Sequence, residues 1–312
     1  MRIHFWGVRG SLPTPMTSAQ LRNKITAVVQ RITPNDLVSE DARENFIQNL
    51  PEWLTSTIGG NTACIEINTD DNQIFVLDAG SGIREMSYKY FEEAETTIHM
   101  FFSHFHWDHI MGFPFFAPVY DSNFTFHIYS PWPETMKILA AQMEPPYFPA
   151  NFSTCTPNIH FHLLKPDMTI KIGEVSVMCK KMFHPGTSYS YKFIENNKQF
   201  VYATDVELTA ASDEEKNDYK SFFANSDMLV LDSQYTIDEL FDKPNWGHST
   251  CCHGVDLAQE CNIKRLFLFH HEPTYDDKKI HSLLKIARWY AESTGKTAFD
   301  IEAAKEGMDV IL

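Results

Sequence analysis

The segment SHFHWDH, residues 103–109, crowds three histidines and an aspartate into one short stretch. It directly follows an apolar run that predicts a β-strand, and loops after strands hold ligand-binding side chains on a rigid base. His104 and His106 lie two residues apart and can converge on one metal ion. Asp108 and His109 are adjacent, so they point elsewhere and can serve a second ion. The segment therefore predicts part of a site for two metal ions.

Two metal ions need more ligands than one loop supplies, so the rest must come from other strand ends. Candidates follow three further apolar runs: His184 in KMFHPG, Asp205 in FVYATD and His270 in RLFLFHH. Imidazole and carboxylate ligands together suit Zn²⁺, Mn²⁺ or Fe²⁺ better than Ca²⁺. A strand-end histidine or aspartate is often only a turn residue. His271 also competes with His270 for the last position.

The rest of the sequence predicts strands and helices that would position these side chains. Most of the strand-like runs are rich in β-branched and aromatic residues and are bounded by Gly, Pro, Asn or Asp. They are Arg2–Trp6, Ala63–Asn68, Gln73–Asp78, Thr97–Ser103, Phe124–Tyr129, Asn158–Leu163, Thr169–Ile172, Glu174–Met182, Tyr189–Ile194, Gln199–Thr204, Met228–Asp232 and Arg265–Phe269. Apolar residues recurring every three or four positions predict the longer helices. These are Pro133–Gln142, Ser212–Ala224, Ser249–Cys261 and Asp276–Ser293, the last followed by Gly295 as a stop.

The order of these elements predicts two sheets covered by helices. Residues 195–198, Glu-Asn-Asn-Lys, fit a hairpin turn between two of the strands. Residues 12–57 stand apart: their apolar spacing, broken at Pro34 and Pro51, predicts two helices inserted between the first and second predicted strands. We expect one domain spanning residues 1–312, with a helical insertion at about 12–57.

Composition restricts the partners of the chain. A formal net charge of −15 and a pI near 5.3 argue against a broad surface for long nucleic acids, which bind through clustered Lys and Arg. A small anionic substrate fits better. The N-terminal segment lacks an apolar signal region, and no run of about 18 apolar residues predicts a membrane span. We therefore expect a cytoplasmic protein without a disulfide framework, in which the vicinal Cys251-Cys252 are a redox or metal feature or simply small apolar residues at a helix start.

In their order along the chain, the strand-end Asp78 in FVLDAG, the SHFHWDH segment and the three later strand-end residues resemble the metallo-β-lactamase superfamily. The resemblance implies an α/β (α+β) fold, the four-layer αβ/βα sandwich, with its metal site at one edge of two packed sheets. It also favours His270 over His271, and makes Asp78 a residue that orients a ligand. The implied cofactors are two divalent ions, with Zn²⁺ first and Mn²⁺ or Fe²⁺ as alternatives. The implied ligands are His104, His106 and His184 for one ion, Asp108, His109 and His270 for the other, and Asp205 between them.

A closer resemblance rests on GVRGS (residues 7–11), GGNTAC (59–64) and WGHST (246–250), which look like the phosphodiesterase branch that includes tRNase Z. By this likeness His248 would be a general acid, although it is equally explained by a helix-capping neighbourhood around Ser249. The implied reaction is hydrolysis by a hydroxide bridging the two ions. The residues implied for catalysis are Asp108, Asp205 and His248.

Other residues keep two interpretations. Arg9 could approach a substrate phosphate or tie two loops together, and the glycines at 59 and 60 fit a tight turn better than a phosphate cradle. Trp107, with the aromatic run at 113–116, could wall the site or pack on the core. The histidines of His160-Phe-His162 fit one solvated face of a sheet.

The expected function is hydrolysis of a small phosphodiester, with cyclic nucleotides as the first candidates. The same site could instead hydrolyse a carboxyl derivative such as a lactone, thioester or β-lactam, or the protein could be a non-enzymatic di-iron sensor. His106 stands where oxygen-handling relatives carry Glu, which favours hydrolysis. A tRNA nuclease is disfavoured because no basic or glycine-rich arm is evident. A homodimer is expected only by analogy with such folds.

Overall fold

Two seven-stranded β-sheets face each other in this computed structural model, which describes residues 1–90, 95–243, 245–294 and 299–312. In spatial order, sheet one contains β14 (Asp309–Ile311), β1 (Arg2–Gly7), β2 (Cys64–Asn68), β3 (Ile74–Leu77), β4 (Thr96–Phe101), β5 (Phe124–Ser130) and β6 (Asn158–Leu163). Sheet two contains β13 (Asp300–Ala303), β12 (Arg265–Phe269), β11 (Met228–Asp232), β10 (Lys198–Ala203), β9 (Ser188–Glu195), β8 (Val175–Met182) and β7 (Thr169–Ile172). Each sheet is antiparallel over one half and parallel over the other, with β3 to β6 and β10 to β13 as the parallel runs.

Several helices cover the outer faces of the two sheets, and the others lie in the connections between strands. The helices are α1 (Ser18–Val29), α2 (Glu40–Gln48), α3 (Glu52–Thr55), α4 (Ile83–Met86), α5 (Trp107–Ile110), α6 (Thr135–Ala141), α7 (Asp213–Phe223), α8 (Ile237–Asp242), α9 (Cys251–Glu260) and α10 (Asp277–Ser293). Several begin at side chains that accept a backbone N–H of the first turn, which satisfies donors left free at a helix start. Ser212 does so for α7 and Asp276 for α10.

The core divides into three apolar layers, which confirms the predicted αβ/βα sandwich. Between the sheets lie aromatic side chains of both, including Phe75, Phe101 and Phe193. Behind sheet two, α7, α9 and α10 bury their apolar faces, and behind sheet one α4, α6 and the turns at 113–120 do the same. β11, MLVLD, is buried along its whole length because a parallel strand covered on both faces needs no polar side.

The predicted helical insertion is present between β1 and β2. Its helices α1 and α2 bury no residue completely. The segment is tied to the sandwich by Lys24, which donates to the Ser56 carbonyl oxygen at 2.6 Å and forms an ion pair with Asp277 at the start of α10. Lys278 lies over the Trp53 ring, with its Nζ 5.5 Å from the ring centroid.

The structure differs from the sequence predictions at a few places. Strands β13 and β14 were not predicted, because DIEA and DVI are short and carry charged residues. Thr250, not Ser249, is the N-cap of α9. The hairpin is as expected, since Asn196 and Asn197 have φ of 50° and 60°. Gly295 lies outside the described residues.

The helices in the described part of the chain do not include a membrane-spanning segment. Within residues 1–90, 95–243, 245–294 and 299–312, each helix is too short or too polar to cross a bilayer.

Phe101 provides a test of the inter-sheet core. It is fully buried, and its ring centroid lies 4.6 Å from that of Tyr129 and 5.4 Å from that of Phe193. Phe101→Ala should lower the free energy of unfolding by about 3–5 kcal/mol, because it leaves a cavity. The control Phe241→Ala, whose side chain is 78% exposed, should change it by less than about 0.5 kcal/mol. Urea unfolding measures both, and equal losses would contradict this description of the core.

Candidate metal centre

The predicted ligands converge at the edge of the sandwich where β4, β8, β10 and β12 end. Their ring nitrogens and carboxylate oxygens form groups in which all the atoms lie within 4.8 Å of one another. In the described residues these groups are His104, His106, His184 and Asp205; Asp108, His109 and His270; and Asp205, Asp232, His248 and His270. All seven ligand residues expected from the sequence are therefore brought together.

Asp205 lies between two sets of imidazoles and turns one oxygen toward each. Its Oδ1 is 3.6 Å from His104 Nε2 and 3.7 Å from His184 Nε2. Its Oδ2 is 3.0 Å from His109 Nε2 and 3.2 Å from His270 Nε2. A carboxylate in this position can bind two cations at once.

Each half of the centre is completed by one further residue. On the Oδ1 side, His106 Nδ1 lies 3.3 Å from His184 Nε2. On the Oδ2 side, Asp108 Oδ2 lies 3.1 Å from His270 Nε2 and 3.3 Å from His109 Nε2. The donor set is thus three imidazoles on one side and two imidazoles with a carboxylate on the other, sharing Asp205, which suits transition ions such as Zn²⁺.

Hydrogen bonds on the far side of three rings leave their Nε2 lone pairs facing the centre. His109 Nδ1 donates to Asp78 Oδ2 at 2.8 Å, and His184 Nδ1 donates to the carbonyl oxygen of Gly247 at 2.9 Å. His270 Nδ1 donates to Gln234 Oε1 at 3.0 Å. Outer partners of this kind fix the tautomer of metal-binding histidines.

Among the described residues of the centre, one buried nitrogen forms no hydrogen bond. His104 Nε2 is buried and forms no hydrogen bond, although it faces Asp205. A buried polar atom without a partner is costly, and a metal ion would satisfy it. The residues therefore fit a pair of divalent ions.

The buried carboxylates of Asp108 and Asp205 carry negative charge that bound cations would neutralise. Burial favours the neutral acid, yet the surrounding imidazoles hold the pKa of Asp108 and of Asp205 well below the usual value. In the described part of the chain, both carboxylates form their ion pairs with histidines and not with Lys or Arg. Buried anions without basic partners are expected where metal ions bind.

The backbone is strained at the same positions. Asp78, Asp205 and His270 have φ of 57°, 53° and 60°, in the left-handed region that side chains other than Gly rarely adopt. Each directly follows its strand or lies within two residues of its end. Strain of this kind persists where the surrounding structure holds it in place and is concentrated at functional sites.

Asp78 anchors several parts of the site, as the resemblance implied. Its carboxylate accepts from Ser103 N and from Ser103 Oγ, both at 2.7 Å, and from Tyr202 Oη at 2.8 Å. With the bond to His109, this network fixes the start of the SHFHWDH loop.

The GVRGS segment supports the centre through its backbone. Ser11 N donates to Asp108 Oδ2 at 2.7 Å. A Cβ at Gly10 would lie 2.4 Å from His270 Nδ1, so only glycine fits beside that ring. Arg9 is buried and donates to the carbonyl oxygens of Gly59 and Tyr275, at 2.9 and 2.8 Å. Arg9 therefore ties loops together.

His270 and His271 differ clearly in position. His270 enters the centre, whereas His271 Nε2 donates to the Ala304 carbonyl oxygen at 2.9 Å. Burial, together with the charge of Arg9, lowers the pKa of His271 to about 3, so this ring stays neutral. His271 is a buried structural residue.

His248 is held by a partner that sequence reasoning missed. Its Nδ1 lies 2.6 Å from Asp232 Oδ2, and its ring stacks on that of His270 with centroids 5.1 Å apart. Burial opposes protonation, but the charge and hydrogen bond of Asp232 outweigh it and raise the pKa of His248 to about 9. Asp232 ends the apolar run MLVLD, which is the same strand-end signal that identified Asp205.

Comparison with known proteins agrees with this geometry. The profile of the beta-lactamase superfamily domain matches residues 74–271. Ribonuclease Z of Picrophilus torridus is 25% identical over 252 aligned residues, which cover 66% of this chain and 79% of that protein. The structure of yeast PDE1 superposes with a TM-score of 0.65 at 15% identity, covering 100% of this chain and 99% of its own. The short form of human tRNase Z gives 0.62 at 14% identity, covering 100% and 99%.

Fold, site and profile together define the class: the chain belongs to the metallo-β-lactamase superfamily. Within that superfamily its likeness is to the phosphodiesterase-like branch. The chain is a metal-dependent hydrolase.

The adjacent histidines allow a paired test of the centre. His270→Ala should lose bound metal, because it removes a ring nitrogen that faces Asp205. His106→Ala should do the same, because it removes the ring nitrogen beside His184 Nε2. His271→Ala should keep full metal content while losing about 1–3 kcal/mol of stability, because it leaves a buried carbonyl oxygen without its donor. Metal analysis after dialysis, with urea unfolding, measures both quantities. Loss of metal from His271→Ala alone would show that the assignment is reversed.

Proposed function

We propose that the protein hydrolyses a phosphodiester by using two divalent ions held on either side of Asp205. The observation that carries this proposal is the position of the Asp205 carboxylate, with one oxygen toward each set of imidazoles. Zn²⁺ is the expected metal, with Mn²⁺ or Fe²⁺ as alternatives. The ligands would be His104, His106 and His184 on one side and Asp108, His109 and His270 on the other.

The bound ions would activate a water molecule as the nucleophile and neutralise charge on the phosphate. The protein positions the reacting groups around them. Asp205 and Asp108 are the carboxylates that can orient the attacking water. Both are held in place, because Asp205 lies two residues after the end of β10 and Asp108 accepts from the Ser11 amide.

His248 is the proposed general acid. Because its Nδ1 is engaged by Asp232, the proton that it can deliver is on Nε2. The raised pKa of His248, about 9, favours the protonated ring, which can give this proton to the departing alkoxide. Asp232 orients the ring and stabilises its charged form, so we propose it as a positioning residue.

The surroundings of the centre favour a substrate with an aromatic group. Trp107 is 77% exposed and directly follows His106, and Trp246 is 61% exposed and directly precedes Gly247, whose carbonyl binds His184. Exposed indole rings beside a phosphodiester site can stack on nucleobases. We therefore propose a small nucleotide phosphodiester, with cyclic nucleotides first.

The expectation against long nucleic acids stays a prediction based on charge. The sequence relatives are ribonuclease Z proteins, so RNA must be among the substrates tested. The metal-loaded protein should be assayed with bis-p-nitrophenyl phosphate, cyclic mononucleotides, a precursor tRNA, and a lactone and a thioester. Turnover of bis-p-nitrophenyl phosphate and of cyclic mononucleotides is expected, but not of the precursor tRNA or of the carboxyl derivatives. The reverse pattern at full metal content would overturn the proposal.

His248→Ala tests the general-acid role through the leaving group. A nucleoside alkoxide needs a proton on departure, so its release should slow by about 10²–10⁴-fold. A p-nitrophenolate leaves without one, so turnover of bis-p-nitrophenyl phosphate should fall much less. Metal content should stay unchanged.

Asp232→Asn should show the same dependence on the leaving group, and the double variant should be no slower than His248→Ala alone. His253→Ala is the matched control, because His253 lies on α9 outside the centre and its Nδ1 lies by Thr250 Oγ1. If His248→Ala slows both substrates equally, the ring does not act as an acid.

Trp107→Ala tests the substrate class. Loss of a stacking platform worth about 1–3 kcal/mol per base should raise KM for cyclic nucleotides while kcat changes little. Trp289→Ala, on α10 and 65% exposed, is the control and should leave both constants unchanged. Steady-state kinetics measure KM and kcat for each variant. An unchanged KM in Trp107→Ala would show that Trp107 does not bind the substrate.

A further inference from the structure

Four histidines outside the metal centre share one face of sheet one. His99, His127 and His160 occupy paired positions on the parallel strands β4, β5 and β6. Their ring centroids are 5.1 and 5.0 Å apart, with interplanar angles of 16° and 22°. This row follows from strand spacing, since neighbouring strands lie about 4.8 Å apart.

The fourth histidine brings a second ring nitrogen close to His127. His162 lies two residues beyond His160 on β6, and its Nε2 is 2.8 Å from His127 Nδ1. Two imidazoles on one tetrahedral Zn²⁺, with bonds of about 2.0–2.1 Å, have nitrogens roughly 3.3 Å apart. This is the separation of His106 Nδ1 and His184 Nε2 in the metal centre, so the rings of His127 and His162 would need to move apart by about 0.5 Å to share an ion.

We infer that His127 and His162 hold a late divalent transition ion such as Zn²⁺, at a site separate from the metal centre. Both side chains are half-buried and His160 beside them is exposed, so an ion can enter from solvent and water can complete its coordination. The two strands belong to a continuous sheet, so both rings are positioned before the ion binds.

The charge state of the rings suits ligation. Burial and the neighbouring imidazoles lower the pKa of His127 and of His162, which favours the neutral form of both rings. Neutral imidazole is the form that binds metals, and less proton competition favours binding.

The bound ion would link the edge strand β6 to the neighbouring strand β5. β6 is the outermost strand of sheet one and pairs with β5 alone within the sheet. An ion shared by His127 on β5 and His162 on β6 would hold this exposed edge in register. Metal binding to the folded state also raises stability by mass action.

Metal counting on the full-length, tag-free protein tests the inference. After equilibrium dialysis against micromolar Zn²⁺, His127→Ala and His162→Ala should each hold one ion fewer per chain than the wild type, measured by mass spectrometry of the metal. His281→Ala, which removes a partly exposed histidine of α10, is the control and should match the wild type. Equal ion counts in all four proteins would overturn the inference.

Nitrogen NMR of the wild type gives a second readout that needs no variant. Zn²⁺ added beyond the amount that fills the metal centre should shift the ring signals of His127 Nδ1 and His162 Nε2 to metal-bound values. If these signals stay unmoved, the two rings share only a hydrogen bond and the inference fails. Neither experiment depends on hydrolysis, so the result stands apart from the proposed function.

Discussion

The buried carboxylate of Asp205 is the constraint on which the rest of the site depends. An anion removed from water needs a compensating charge, and in the described residues its near partners are imidazoles, not Lys or Arg. Imidazoles can compensate either by taking up protons or by sharing metal ions with the carboxylate. The unpartnered Nε2 of His104 and the outward hydrogen bonds of His109 and His184 favour the metal ions.

Holding these groups together requires the two sheets to end at one edge. The parallel halves of both sheets point their carboxyl ends to this edge, so residues distant in sequence meet after folding. A supporting layer then fixes three of the rings, through Asp78 for His109, Gln234 for His270 and Asp232 for His248. Backbone strain at Asp205 and His270 is tolerated because these contacts oppose its relaxation.

The order of strands and helices predicted two sheets covered by helices, and the SHFHWDH loop with three later strand ends supplied the ligand candidates. The four-layer sandwich and the grouping of these ligands around Asp205 were implied by the resemblance to the superfamily. The strand-end signal was also present for Asp232 but was not used, because a lone carboxylate after a strand is also an ordinary turn residue. The position of Arg9 could not be predicted, because its partners are carbonyl oxygens of loops distant in sequence. Strands β13 and β14 are stabilised by pairing with β12 and β1. The composition of such short segments does not indicate that they pair with other strands.

The two histidine clusters show that neighbours decide what an imidazole does. In the metal centre, burial lowers the pKa of His109, but the carboxylates of Asp108, Asp205 and Asp78 outweigh it and raise that pKa well above the usual value. On β4, burial and the other imidazoles together lower the pKa of His99 to about 4. The first environment demands cations to balance fixed negative charge, whereas the second offers only neutral ligands. The proposed hydrolysis therefore belongs to the edge that carries Asp205, whereas the row of rings on β4 to β6 offers a site for binding alone.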